Sequence, residues 1–349
     1  MTPTTPTGAS PRRVTQTDAL AGASEPRRTR SRWARTWPLL IAIVLTVGLI
    51  AVSILTGVAD ITAPDGEGRE FLWITRIPRT ASLVLAGASM AMAGLVMQLM
   101  TQNRFVEPTT VGTTEWAGLG LLTTYILLPA SGILEKMAIA IAFAFAGTLV
   151  FFAFLRRVTL RSSLIVPIVG IMLGAVVSAV STFLALRFNL LQVLGGWFMG
   201  RFTGIEIGRY EPLWIVLAVS VIVVIAADRF TVAGLGRDIA TNVGLHYERV
   251  VLLGVGLVAM TTGVVTVIIG ALPFLGLIVP NLVAMVRGDD LRSNLPWVFL
   301  TGIWIVTICD LIGRTIIMPF EVPIALVLGV VGSAVFIVML LRARRTRVR

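Results

Sequence analysis

From Pro38 onward, long apolar runs alternate with short polar or Pro- and Gly-bearing breaks. The runs cover roughly 38–58, 80–101, 109–129, 137–155, 163–186, 212–227, 249–270, 274–287, 296–313 and 323–341. Crossing ~30 Å of hydrocarbon takes about 20 apolar residues in a helix, so the pattern predicts an all-α, polytopic membrane bundle of about ten transmembrane helices. The eighth run is short and bounded by prolines, which predicts a tilted span or one that begins as a half-helix. Small residues recur through the runs, as in Leu85-Ala86-Gly87-Ala88-Ser89-Met90-Ala91-Met92-Ala93-Gly94. In lipid, where no hydrophobic force drives helices together, such residues let backbones approach closely.

Composition agrees. Of 349 residues, 56% are apolar before the 33 glycines are counted and 13% are charged, with mean hydropathy +0.91. A soluble domain is typically about 25% charged, and ten spans leave no room for a sizeable soluble domain. Residues 1–37 read as a disordered basic tail, 38–341 as the membrane domain and 342–349 as a second basic tail. The run after the first tail is long enough to span and shows no small-residue cleavage site, so it reads as a retained helix.

The net charge of +11 would suggest nucleic acid in a soluble chain. Here the arginines gather at the tails and span ends, where anionic lipid headgroups account for them, so nucleic-acid binding is not expected. With both termini cytoplasmic, 21 Lys and Arg fall inside and 8 outside, the bias expected of a multi-pass cell-membrane protein; the tails supply it. Cys309 and His246 are the only residues of their kinds, which excludes an intrachain disulfide and a Cys/His metal cluster. Lys136, the sole lysine, lies in Glu135-Lys136-Met137, so the chain has no phosphate-binding loop of the G-x-x-x-x-G-K-[ST] type.

Four segments are too polar or too broken to be plain spans. Thr75-Arg76-Ile77-Pro78-Arg79 places two arginines around a helix-starting proline on the expected outer face, suited either to lipid headgroups or to an acidic partner. Residues 102–118 break at Pro108 and run through a Thr/Gly stretch to Glu115, at membrane depth, where hydroxyls next to it would satisfy it. The inner loop 233–249 carries Leu235, Ile239 and Val243 at every fourth residue, with Gly236 and Gly244 bracketing a short helix. That helix has an apolar stripe, able to lie on the membrane or enter a groove on another protein. Pro273 and Pro280 mark a broken or re-entrant helix, and Asp310 and Arg314 have the i, i+4 spacing of an ion pair.

Together these segments resemble the permease family of type II ATP-binding-cassette importers for ferric siderophores, haem and cobalamin, from about residue 70 to 342. The resemblance rests on Arg76-Ile77-Pro78-Arg79, Gln98, Asn103-Arg104-Phe105-Val106-Glu107-Pro108, Gly195-Gly196-Trp197-Phe198-Met199-Gly200, the 236–249 loop, Pro273 to Pro280, Asp310 to Arg314 and Glu321-Val322-Pro323. Asn281 stands where the family often has His. With Arg104 to Val106 and Thr109 to Gly112, it is similar to the subset that imports catecholate-type ferric siderophores, often as heterodimers.

The resemblance implies several roles. Arg76 and Arg79, with Arg314, would dock an extracytoplasmic siderophore-binding lipoprotein. Leu235, Gly236, Ile239, Val243 and Gly244 would form a coupling helix against a separate ATP-binding-cassette ATPase dimer that holds the ATP and Mg. Ser162 and Ser163 would sit at the cytoplasmic gate, and the fifth and tenth spans would line the pathway beside a second permease, identical or paralogous. The chain itself would carry no cofactor, metal or catalytic residue.

Two rival classes have residues to stand on. A proton-coupled secondary transporter would use Glu115 or Asp310 as its carrier. A membrane enzyme with a Mg-diphosphate site would use Asp289-Asp290, but Leu291 and Arg292 follow where further acids are needed.

Overall fold

A computed structural model describes residues 32–57, 70–157 and 165–347. No β-strand occurs among the described residues, and every one of the ten apolar runs falls on a helix. The helices are α1 (Arg32–Leu55), α2 (Ile77–Thr101), α3 (Thr113–Leu127), α4 (Ile133–Arg157), α5 (Ile165–Arg187) and α6 (Leu191–Phe198). They continue as α7 (Trp214–Ile225), α8 (Ala227–Gly234), α9 (Arg237–Asn242), α10 (Tyr247–Ile268), α11 (Leu275–Arg287), α12 (Leu291–Thr315) and α13 (Ile324–Arg347). The chain divides into two units, Met1–Ile41 and Ala42–Arg349. Helix α1 begins at Arg32, within the stretch expected to be a tail, with Pro38 inside it.

Six helices are individually long and apolar enough to cross a membrane, and a seventh span results if α7 and α8 are taken together. Helix α7 covers the sixth run, and the chain bends by 62° at its end into α8. The bend follows from sidedness: α7 is apolar except for Ser220, whose hydroxyl donates to the Val216 carbonyl (2.8 Å), whereas α8 keeps Phe230 and Ala233 buried while Asp228 and Arg229 reach the aqueous end.

Helix α2 is the hub. It is 83% buried along its apolar window, against 28% for α5, and it packs on α12, α11, α10, α7 and α8. Two glycine pairs set how close it comes: a Cβ at Gly87 would strike the Gly302 carbonyl of α12, and one at Gly94 would strike Gly276 of α11. Helices therefore meet backbone to backbone, which compensates for the missing hydrophobic drive.

The eighth run is a half-helix. After α10 the chain returns through residues 269–274, and only then does α11 begin, at the level of Gly94. The turn is locked by Arg201 N–H donating to the Ile269 carbonyl (2.9 Å) and Ile324 N–H donating to Gly200 (3.1 Å). The Gly195 to Gly200 motif thus joins α6, the re-entrant turn and α13.

Charged contacts sort the loops into two ends. Arg104, Arg156, Arg237 and Arg292 meet Asp289, Glu248 and Asp228 at one; Arg79, Arg314, Asp310 and Glu321 meet at the other. The basic-residue count assigns the first to the inside and the second to the outside, and "inner" and "outer" are used in that sense.

Candidate functional site

At the outer end, a π-helical turn over Leu72–Arg76 leads into α2 and brings Arg76 and Arg79 beside the end of α12. The sequence suggests a basic pair displayed on the surface; the structure has the pair turned inward. Arg76, Arg79 and Arg314 are 8%, 15% and 7% exposed. Arg79 donates to Asp310 (2.8 Å) and to Glu321 (2.7 Å), and Arg314 pairs with Asp310 at 2.8 Å, the expected i, i+4 bridge. Arg314 also donates to Ser53 Oγ (2.9 Å) and the Thr56 carbonyl (2.9 Å), while Arg76 donates to the Ile54 and Leu55 carbonyls of α1. Burying charge is tolerated only where partners satisfy it, and here α1, α2, α12 and the loop before α13 supply most of them, leaving the Nε atoms of Arg79 and Arg314 without a hydrogen-bond partner among the described residues. Thr203 adds a hydroxyl to Glu321. Burial pushes the Glu321 carboxyl up, but the Arg79 and Thr203 hydrogen bonds and the Arg79 and Arg314 charges outweigh it and hold the group below the usual carboxylate range.

In the centre, Glu107 carries an importance that its position in a polar loop did not signal. Its carboxylate is 1% exposed and accepts from Phe274 N–H (2.8 Å), Leu277 N–H (3.1 Å) and the Thr109 hydroxyl. It caps the free N–H groups at the start of α11, where a helix favours negative charge. Gln98 donates to the Gly276 carbonyl (3.2 Å), and Asn281 donates to Arg104 (2.8 Å). Loop 102–112 and half-helix α11 are thereby fastened together. In the sequence Glu107 stood only within the Asn103 to Pro108 string, with no role of its own. Glu115 departs from expectation: its Oε2 is buried without a hydrogen-bond partner among the described residues, so the anticipated hydroxyls do not reach it.

At the inner end, Gly236 (φ +112°) opens α9 and Gly244 (φ +81°) closes it, with Leu245 N–H donating back to the Ala240 carbonyl at 2.9 Å. Ala240 is fully buried and anchors the helix. Leu235, Ile239 and Val243 are 60%, 49% and 67% exposed. Leu235 and Val243 flank the helix and Ile239 lies within it. Arg156 and Arg237 both hold Glu248 nearby. Asp289 pairs with Arg104 (2.9 Å) on the surface. Ser162 and Ser163 lie outside the described residues. No group of three or more His, Cys, Asp or Glu that could hold a metal occurs among the described residues.

A helical bundle with a re-entrant half-helix, a charged outer cluster and an exposed inner helix is the architecture of a membrane transport protein. The FecCD transport family model matches residues 37–342, and this chain belongs to that family. It is 55% identical to the petrobactin import system permease protein FatD of Bacillus anthracis, over 93% of this chain and 97% of that protein. It is 41% identical to the petrobactin import system permease protein YclN of Bacillus subtilis (strain 168), over 86% and 97%. The vitamin B12 import system permease protein BtuC of Citrobacter koseri is 30% identical over 93% and 99%. Among solved structures, an inward-facing conformation of a metal-chelate type ABC transporter superposes with a TM-score of 0.76 at 22% identity, over 88% of this chain and 99% of that one, a likeness of fold.

Proposed function

We propose that this chain is the permease subunit of an ATP-driven importer that carries a ferric siderophore across the cell membrane, with both termini cytoplasmic. The observation that carries the reading is the exposed Leu235, Ile239 and Val243 stripe on a helix anchored by Ala240. Three exposed apolar side chains on and beside so short a helix gain nothing in water and gain burial in a groove. A separate ATPase dimer holding ATP and Mg provides that groove, and its closure moves α9 and, through α10 and α8, the spans. The siderophore reading draws on the petrobactin permeases to which the chain is similar.

At the outer end, a binding protein delivers the chelate onto the face that includes Arg76, Arg79 and Arg314. Because these arginines are occupied internally, acids on the binding protein compete with Glu321 for the accessible edge of Arg79, and charge complementarity there sets orientation and on-rate. A second permease, identical or paralogous, covers the exposed apolar side of α5, where Ile168, Met172, Val176 and Phe183 face outward, and α5 and α13 line the pathway with Ser162 and Ser163 at its inner mouth.

Reconstitution tests this. Proteoliposomes with the ATPase and the loaded binding protein should accumulate radio-iron petrobactin only with ATP, and dissipating the proton gradient should leave uptake intact. Uptake that ignores ATP and collapses with the gradient would make the chain a secondary transporter.

A further inference from the structure

Lys136, the only lysine of the chain, stands where helix electrostatics oppose it. It lies in the first turn of α4, next to the free N–H groups whose partial positive charge favours anions. Glu135 beside it follows that rule and accepts from Gly132 N–H (3.1 Å). Lys136 makes no ion pair among the described residues. Its ammonium instead lies 4.2 Å from the centroid of the Tyr125 ring, and that ring is 4.9 Å from the ring of Trp197 on α6.

These three side chains and Arg209 line a cavity of about 430 Å³ at the outer end. Arg209 is well exposed and meets Glu206 only at 3.6 Å. The Thr203 to Ile205 segment forms one wall of this cavity and also lines the recess of the Arg79 cluster, so the cavity adjoins the face assigned above to delivery. Lys136 and Arg209 are the charged residues of its described lining, the nearby acids Glu135 and Glu211 being held by the Gly132 and Gly208 N–H groups, and Tyr125 and Trp197 add aromatic surface. Positive charge beside aromatic faces recognises a flat, electron-rich anion, through charge on one side and stacking on the other. The size lies within the range of small-ligand sites, roughly 300–1,000 Å³.

We propose that this cavity is the acceptor subsite for the chelate as it leaves the binding protein. It takes one anionic aryl-oxygen arm of the ferric complex against Tyr125 and Trp197, with Lys136 and Arg209 holding its charge. Iron(III) bound by deprotonated aryl oxygens keeps net negative charge, which a plain apolar vestibule would repel and this one neutralises. The inference rests on the siderophore reading and adds to it the residues that meet the cargo first.

The test uses the full transporter with its ATPase in nanodiscs, titrated with ferric petrobactin without binding protein and followed by tryptophan fluorescence. Wild-type protein should show saturable quenching, and Trp197→Phe should remove most of it. Lys136→Met with Arg209→Gln should weaken binding at least about tenfold, the loss expected of one charged aromatic contact. Lys136→Arg should bind within about twofold of wild type, and a neutral ferric tris-hydroxamate should bind at least about tenfold more weakly than ferric petrobactin. Unchanged binding in a folded Lys136→Met/Arg209→Gln protein, or equal binding of the neutral complex, would overturn the subsite and leave Lys136 an interfacial anchor. Wild-type protein that binds the chelate but fails to transport it with ATP would instead overturn the siderophore-import reading.

Discussion

The outer and inner ends of the bundle use arginine in opposite ways. At the outer end Arg76, Arg79 and Arg314 are drawn into the protein and paired with Asp310, Glu321 and the carbonyls and hydroxyl at the end of α1. At the inner end Arg104, Arg156, Arg237 and Arg292 form pairs whose side chains are 48–79% exposed. Solvent screens the inner pairs, and each is expected to contribute about 0–1 kcal/mol. The outer cluster cannot be opened so lightly, because removing one member strands the others out of water. A fixed outer end and a soft inner end suit a protein whose inner surface is moved by a partner.

The sharpest way to break this comparison is Asp310→Ala, which leaves Arg79 and Arg314 buried together without their shared carboxylate. A loss of about 3–5 kcal/mol is expected, seen as a collapse in folded yield by size-exclusion chromatography of the detergent-extracted protein. Glu107→Ala should come next: two backbone N–H groups at the start of α11 lose their buried acceptor, at about 1–3 kcal/mol in all. Its melting temperature should fall clearly, whereas Glu107→Gln, which keeps an acceptor oxygen, should lose less. Arg156→Ala at the inner end should cost about 1 kcal/mol or less, with an effect that shrinks in high salt. The smallest effect is acidification. Glu321 is depressed in the folded protein, so its stabilising share is complete above the ordinary carboxylate range. It is lost only as pH falls through the lower folded value. Thermal stability of wild type should therefore drop more than that of Glu321→Gln in that acidic window, and not near neutrality.

How much of this was legible beforehand depends on the range of the interactions. The ten runs were readable because a span needs about 20 apolar residues in a row, and the Asp310–Arg314 bridge because it lies within one helical turn. Helix α9 was readable because two glycines bracket a four-residue apolar period. What could not be read was long-range. Arg79 meets partners 231 and 242 residues away, so proximity to Pro78 at the start of a span suggested exposure where the fold imposes burial. Glu107 finds its N–H donors 167 and 170 residues away, and nothing local in a Val-Glu-Pro sequence announces a cap. The bend at Ala226 has neither Pro nor Gly to mark it.

The burial of the outer arginines also changes which variant informs on docking. Charge reversal at Arg76 or Arg79 would damage the cluster itself, so lost uptake would not separate docking from folding. Glu321→Gln keeps the shape, frees one edge of Arg79, and should strengthen capture of the binding protein if acids on that protein compete for it, as measured by surface-immobilised transporter.

The central claim is that the exposed α9 stripe receives an ATPase, and the most direct measurement is co-purification of that ATPase with the permease carrying Leu235→Asp, Ile239→Asp and Val243→Asp. The account predicts a permease with wild-type yield and melting temperature that no longer retains the ATPase and no longer imports iron. Full retention of the ATPase by that folded variant would contradict it.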